Sequence, residues 1–281
     1  MTDVDIDHLR TWIGRERVKT DVITPRLAMG LNAVFDVSGE LADGDDAPAG
    51  IHWCLAPDIV PMSQLGPDGH PARGDFLPPV PFPRRMWAGG ELTLQGDFKV
   101  GDTVSRHSVI EDVVLKSGRS GEMIFVTVRH EYSTARGIAL KERQDIVYRQ
   151  MEAQKSVSNV ATLGDEPAAD RTLSIFGDPV LLFRYSAITF NGHRIHYDQP
   201  YVTGEEGYPG LVFHGPLQAS YLLRMAIEDR DPPSPLAFAF RSVSPLFGGE
   251  AITLNAINDA TETKLWVANA AGVKTMTATA R

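Results

Sequence analysis

Residues 102–133, DTVSRHSVIEDVVLKSGRSGEMIFVTVRHEYS, alternate apolar and polar side chains almost throughout and are interrupted once, by KSGRSG. Successive side chains on a strand point to opposite faces of a sheet, so a period of two over this length fits strands with one buried and one wetted face. The Gly/Ser-rich break is then a turn. Residues 91–149 are expected to form two or three long strands in an antiparallel meander. A fainter copy of the start of this block lies 148 residues further on, where GEAITLNAINDA (249–260) echoes GDTVSRHSVIED (101–112). Each copy follows a helical stretch and precedes strands, which points to one fold used twice in tandem.

A chain of 281 residues exceeds the ~100–200 residues of a typical domain and has material for two cores. The period is lost over MEAQKSVSNVATLGDEPAAD, so the expected units are 1–150, a linker at 151–170, and 171–281. Residues 1–36 read as two helices: Ile6, Leu9, Ile13 and Val18 keep a roughly helical spacing, and Thr24 followed by Pro25 is a helix start. Residues 45–90 are rich in Pro, Gly and aromatics, a long irregular insertion of the kind that carries function. In the second unit LLFRYSAIT reads as a short strand. FHGPLQASYLLRMAIED reads as a buried helix starting at Gly215-Pro216, and strands follow at LAFAFRSVS, AITLNAIND, KLWVANAAG and VKTMTATAR.

Composition excludes several classes. Hydrophobic residues make up 43% and charged residues 22%, globular values, with no apolar run near the ~18 residues of a membrane span. A net charge of −9 supplies no general positive field for nucleic acid. The acidic start without an apolar core, together with the lone Cys54, leads us to expect a reducing, cytoplasmic location.

Chemistry concentrates in TFNGHRIHYDQPY, residues 189–201, with two histidines three residues apart between an asparagine and an aspartate. His193, His196 and Asp198 have poor metal-ligand spacing, and no metal or other cofactor is expected. Ser186 or Ser220 could serve a Ser-His-Asp triad, but no GxSxG elbow exists. Histidine acid–base chemistry fits better, because an imidazole in an apolar pocket moves protons near neutral pH. The helix entered through His214-Gly215-Pro216 offers free N–H groups to a developing oxyanion.

These residues carry a resemblance. Asn191-Gly192-His193-Arg194-Ile195-His196-Tyr197-Asp198 resembles the signature loop of the MaoC-like hydratases and dehydratases, Asp-x-Asn-Pro-Ile-His-x-Asp, with Asn191 at the aspartate position and His196 at the catalytic histidine. RYSAITFNGHRIHYD and EGYPGLVFHGPL resemble the type 2 hydroxyacyl-thioester dehydratases, and most closely their mesaconyl-C4-CoA hydratase branch. The similarity extends over nearly the whole chain. It implies an α+β tandem (double) hotdog, each unit a long helix wrapped by an antiparallel sheet. It also implies a hydro-lyase acting on the C=C of an enoyl-CoA, with a branched C5 dicarboxylic acyl group. A fatty-acid-type 3-hydroxyacyl carrier-protein dehydratase and a non-catalytic thioester-binding protein remain the alternatives, and a homodimer of such chains is left open.

On this resemblance His196 is the general base and acid and Asn191 orients the water, since an amide cannot accept its proton. The Gly215 N–H is the oxyanion donor and His193 a second proton-transfer candidate. Tyr185, Arg194, Arg184, Arg84 and Arg85 are expected to contact the acyl carboxylate or the CoA phosphates, and Trp87 and His214 to line the substrate site.

Overall fold

The computed structural model describes residues 4–118, 121–150, 168–228 and 236–281, so most of the expected linker lies outside the described residues. Thr24 caps α2 (Pro25–Val34) by accepting from the Leu27 N–H, as the Thr-Pro pair predicts. Ahead of it stand a short α1 (Ile6–Arg10) and β1 (Glu16–Val22). Val18, read from the sequence as helical, thus belongs to a strand. Its five-residue separation from Ile13 breaks the helical period, and ERVKTDV alternates in exposure instead.

The expected meander follows as three long strands, β3 (Thr103–Gly118), β4 (Gly121–Thr134) and β5 (Gly137–Arg149), preceded by β2 (Arg84–Leu94), which starts within the insertion. The second half opens with β6 (Arg171–Phe176), which the sequence reading did not find. LLFRYSAIT is then helical, not extended, within α3 (Pro179–Ile188), because Asp178 caps the Val180 N–H and Pro179 fixes the first turn. A short α4 (Gln199–Gly204) leads to α5 (Gly215–Glu228), and β7 (Leu236–Ser242), β8 (Ala251–Asn258), β9 (Thr263–Ala268) and β10 (Lys274–Ala280) complete the chain.

All ten strands join one antiparallel sheet in the order β1-β3-β4-β5-β2-β7-β10-β9-β8-β6. Read from either edge inward, the order is first, third, fourth, fifth, second strand of that half. The two halves therefore repeat one topology, and the sequence echo falls on equivalent strands, β3 and β8. They meet where β2 pairs with β7, from Gly89↔Arg241 to Leu94↔Leu236. This seam requires glycine: a Cβ on Gly89 would lie 2.5 Å from the Phe240 carbonyl oxygen, and one on Gly90 2.5 Å from that of Arg143.

α5 is the buried helix of the double hotdog, with Leu217, Leu222, Leu223, Met225 and Ala226 against Leu254, Val267 and Met276 of the second half's sheet. The first half departs from the expected long helix. Its α2 has 10 residues against 14 in α5 and buries only Ala28, Leu31 and Val34. Beyond α2's reach the inner face of the first half carries a band of polar side chains, Arg106 and Ser108 on β3, His130 on β4, and Glu142 and Gln144 on β5. A second core of Ile110, Val126, Ile146 and Tyr148, under Val80 and Phe82, follows this band.

Candidate active site

The loop after α3 is shaped by its own polar groups. Asn191 Oδ1 accepts from the His193 N–H at 3.0 Å, and a turn of 3-10 helix spans Arg194–His196. Asp198 caps α4 through the Tyr201 N–H and holds Arg194 at 2.8 Å. Its carboxylate is thus committed away from the histidines. The result is a pair of buried imidazoles, His193 and His196, on a tightly held turn.

His196 points Nδ1 at the Val212 carbonyl oxygen, 2.7 Å away. A carbonyl only accepts, so Nδ1 carries the proton and Nε2 is the free, basic nitrogen. Burial pushes His196 down to about 4, so it is neutral at pH 7. Its ring stacks on that of His214, with centroids 3.6 Å apart. His214 is fully buried and pairs Nε2 with Ser186 Oγ at 2.8 Å, while its Nδ1 has no partner. With no carboxylate behind His214, Ser186 and His214 do not form a triad. Ser220 gives its hydroxyl to the Pro216 carbonyl, at 2.8 Å.

The proline- and glycine-rich insertion contributes what the sequence did not disclose. Its tip folds back on itself, with the Gly66 N–H bonded to the His70 carbonyl at 2.7 Å, and docks on the histidine loop, where the Arg194 N–H reaches the Asp68 carbonyl at 2.9 Å. Gly69 has φ +86, and a Cβ there would lie 2.0 Å from the Gly192 carbonyl oxygen, so only glycine permits this approach. Docking sets His70 against His193 with ring centroids 4.2 Å apart, and His193 stands 5.4 Å from His196. Four imidazoles, His70, His193, His196 and His214, thus run in one file.

Asp68 grips His70 twice, accepting from its backbone N–H and facing its Nδ1, each at 3.0 Å. Asp68, His70 and His193 offer three ligand atoms within 4.8 Å of one another, a set that could meet a divalent ion. Asp68 Oδ2 and His70 Nδ1 are also joined by their mutual hydrogen bond, the arrangement of an oriented proton-transfer pair. Burial and Arg85 lower His70 to about 4 and burial lowers His193, so both imidazoles are neutral at pH 7.

A cavity of about 800 Å³ opens in front of this file, walled by His70, Ser186, Asn191, Gly192, Trp87 and Pro216 at the loop end and floored by the polar band of the first half. His193, His196 and His214 stand behind that wall rather than in it. Most of the floor pairs with itself: Trp53 and Tyr132 donate to the buried Glu142 at 2.9 and 3.0 Å, and His130 bridges Ser108 and Gln144, while Arg106 Nε has no hydrogen-bond partner among the described residues. Exposed Met62, Phe183, Phe190 and Tyr197 make the mouth apolar.

The arginines separate. Arg84 points away from the cavity, to Glu206 at 3.4 Å and over Tyr208. Arg184 is exposed on α3 and does not line it. Arg194 lines it but is held by Asp198, by the Pro67 carbonyl at 3.0 Å and over Tyr201. Arg106 is spent on the Leu55 and Ala56 carbonyls, at 3.2 and 2.7 Å. Arg85 lines the cavity and, among the described residues, pairs with no carboxylate. Tyr185 and Trp87 also line it, and Gly215 opens α5 beside Trp87, its Cβ position 3.5 Å from that ring.

The family described as hydroxyacyl-thioester dehydratase type 2 matches residues 50–248. A mesaconyl-C(4)-CoA hydratase from Chloroflexus aurantiacus is 42% identical over 238 residues, 84% of each chain. A mitochondrial hydroxyacyl-thioester dehydratase type 2 from Schizosaccharomyces pombe is 24% identical over 73% of this chain and 76% of its own. Among solved structures, a MaoC-like dehydratase from Phytophthora capsici superposes with a TM-score of 0.69 at 13% identity, covering 98% of both chains. A Mycobacterium tuberculosis protein described as a double hotdog covers 98% of this chain and 97% of its own, with a TM-score of 0.53 at 13% identity.

Proposed function

Because the chain belongs to the hydroxyacyl-thioester dehydratase type 2 family, we propose that it adds water to, or removes it from, the C=C of an enoyl-CoA whose acyl group bears a second carboxylate. A branched C5 dicarboxylic acyl group, the kind in the Chloroflexus relative's name, is our choice. The observation that carries this reading is the neutral, buried His196. Its tautomer is fixed by the Val212 carbonyl, and it stands near the start of α5 behind a cavity lined by Arg85, which pairs with no carboxylate among the described residues. His196 Nε2 takes a proton from water as the hydroxyl adds to Cβ. The electron pair of the C=C moves toward the thioester carbonyl, and N–H groups of the first turn of α5, Gly215 first among them, meet the oxyanion. Asn191, with its oxygen bonded to the His193 N–H, keeps its amide N–H groups for the water or the substrate.

Arg85 reads the substrate carboxylate. A guanidinium lining a cavity without an acid beside it is costly unless an anion arrives, and a charged hydrogen bond of this kind is worth about 1.5–3 kcal/mol. We keep residues 1–150 and 171–281 as the two units, joined through 151–170. We also assign the enzyme to the cytoplasm, since its single, buried Cys54 needs no oxidising compartment. The test is an absorbance assay over a panel of enoyl-CoAs, following loss of the conjugated thioester band. Hydration of a dicarboxylic enoyl-CoA is expected, and no change with any enoyl-CoA would overturn the reading.

A further inference from the structure

Hydration needs two proton movements, one from water and one to Cα, and His196 stands behind the cavity wall whereas His70 is part of it. His70 is backed by a carboxylate, as imidazoles that move protons commonly are. Its Nδ1 faces Asp68 Oδ2 at 3.0 Å, which leaves Nε2 free. The pair is carried by the insertion of the first half, yet it is fixed against the loop of the second by the Arg194–Asp68 backbone bond and by the Gly69–Gly192 approach. Through His193 it is continuous with His196.

We propose that His70, held by Asp68, is the second proton-transfer group of this site and exchanges its proton with the substrate Cα. This rests on the hydro-lyase reading above. In hydration the hydroxide of water bonds to Cβ and the water's proton goes to His196 Nε2; a proton taken up from cavity water leaves His70 Nε2 for Cα as the enolate's electron pair forms the C–H bond, and His196 then returns its proton to solvent. Dehydration reverses each step. His70 is thus protonated only in passing, and Asp68, a positioning residue, stabilises that imidazolium. The groups facing His70 suit the task. Asp68 on its own turn favours the charged form. Burial, with Arg85 on β2 and Arg73 beside it, keeps the resting ring neutral, while His193 and His196 stand on the opposing loop.

The experiment compares wild type, His70→Asn and Asp68→Asn on the full chain. Asparagine at 70 keeps an N–H for Asp68 and so preserves the docked turn, but it cannot relay a proton. We expect His70→Asn to lower kcat by ~10²-fold with KM within about threefold. The isotope effect on dehydration of an α-deuterated 3-hydroxyacyl-CoA should rise, because Cα proton transfer becomes slower. Asp68→Asn should lower kcat less and move the acid limb of its pH profile downward, since the carboxylate that raises His70 is gone. Activity in wild type that His196→Ala abolishes but His70→Asn leaves intact, with an unchanged isotope effect, would overturn this inference alone. Wild-type activity that requires an added divalent ion and is lost to a chelator would make Asp68, His70 and His193 a metal site instead. If wild type fails on every enoyl-CoA, the functional reading fails first.

Discussion

The two halves share a strand order and almost nothing else on their inner faces. Where β3 of the first half turns Arg106 and Ser108 inward, the positions 148 residues later on β8 hold Leu254 and Ala256, both buried in the core. The second half covers its sheet with the fourteen-residue α5 and fills the space. The first half covers part of its sheet with the ten-residue α2 and leaves the remainder as the floor of a cavity. Duplication of a fold thus yields two jobs: one copy is packed tightly enough to fix the histidine loop, and the other gives up packing to leave a cavity, where we propose the acyl chain sits.

The sharpest way to break this division is to remove an imidazole from each side. His196→Ala should lower kcat by ~10²–10⁴-fold with the fold intact, the range for losing a general acid–base group, whereas His130→Ala on the floor should cost far less. Circular dichroism and steady-state kinetics on both variants check it. A larger loss at His130 would reverse the assignment of roles.

Packing offers the next contrast. Leu222 on α5 is fully buried, so Leu222→Ala should destabilise by ~2–5 kcal/mol in chemical denaturation, a cavity in a dense core. Leu41, only half-buried at the margin of the first half's core, should cost ~1 kcal/mol when replaced by alanine. Equal costs would mean that the first half is packed as tightly as the second.

Much of the architecture was legible. The period of two over 102–133, the Thr24-Pro25 helix start and the apolar FHGPLQASYLLRMAIED each rest on local rules, and each gave the right element. The failures have physical causes. LLFRYSAIT is apolar on almost every side, so periodicity could not separate strand from helix, and the deciding signal was the Asp178-Pro179 start just before it. Of the candidate arginines, Arg84 and Arg85 are adjacent, and the pleat alone decides which one faces the cavity. His70 was missed because its partner His193 lies more than a hundred residues away. The only local hint was GPDGH, a histidine on a Gly-Pro-Asp-Gly turn inside an insertion too long to be idle.

That turn supplies a milder test of how the halves cooperate. Gly69→Ala places a methyl group against the Gly192 carbonyl oxygen in a left-handed backbone, and should cost ~10–100-fold in kcat/KM by lifting the insertion off the histidine loop. Thermal melting should fall only slightly. Wild-type kinetics in this variant would show that the insertion is a bystander.

The central claim, that the open first half recognises the acyl group on which the second half acts, is tested most directly by one ratio. Measure kcat/KM for mesaconyl-C4-CoA and for crotonyl-CoA, in wild type and in Arg85→Met. Wild type should prefer the dicarboxylic thioester by ~10-fold or more, and the substitution should bring the ratio close to one, chiefly by weakening the charged substrate. Equal efficiency toward both thioesters in wild type, or a preference that survives Arg85→Met, would contradict it.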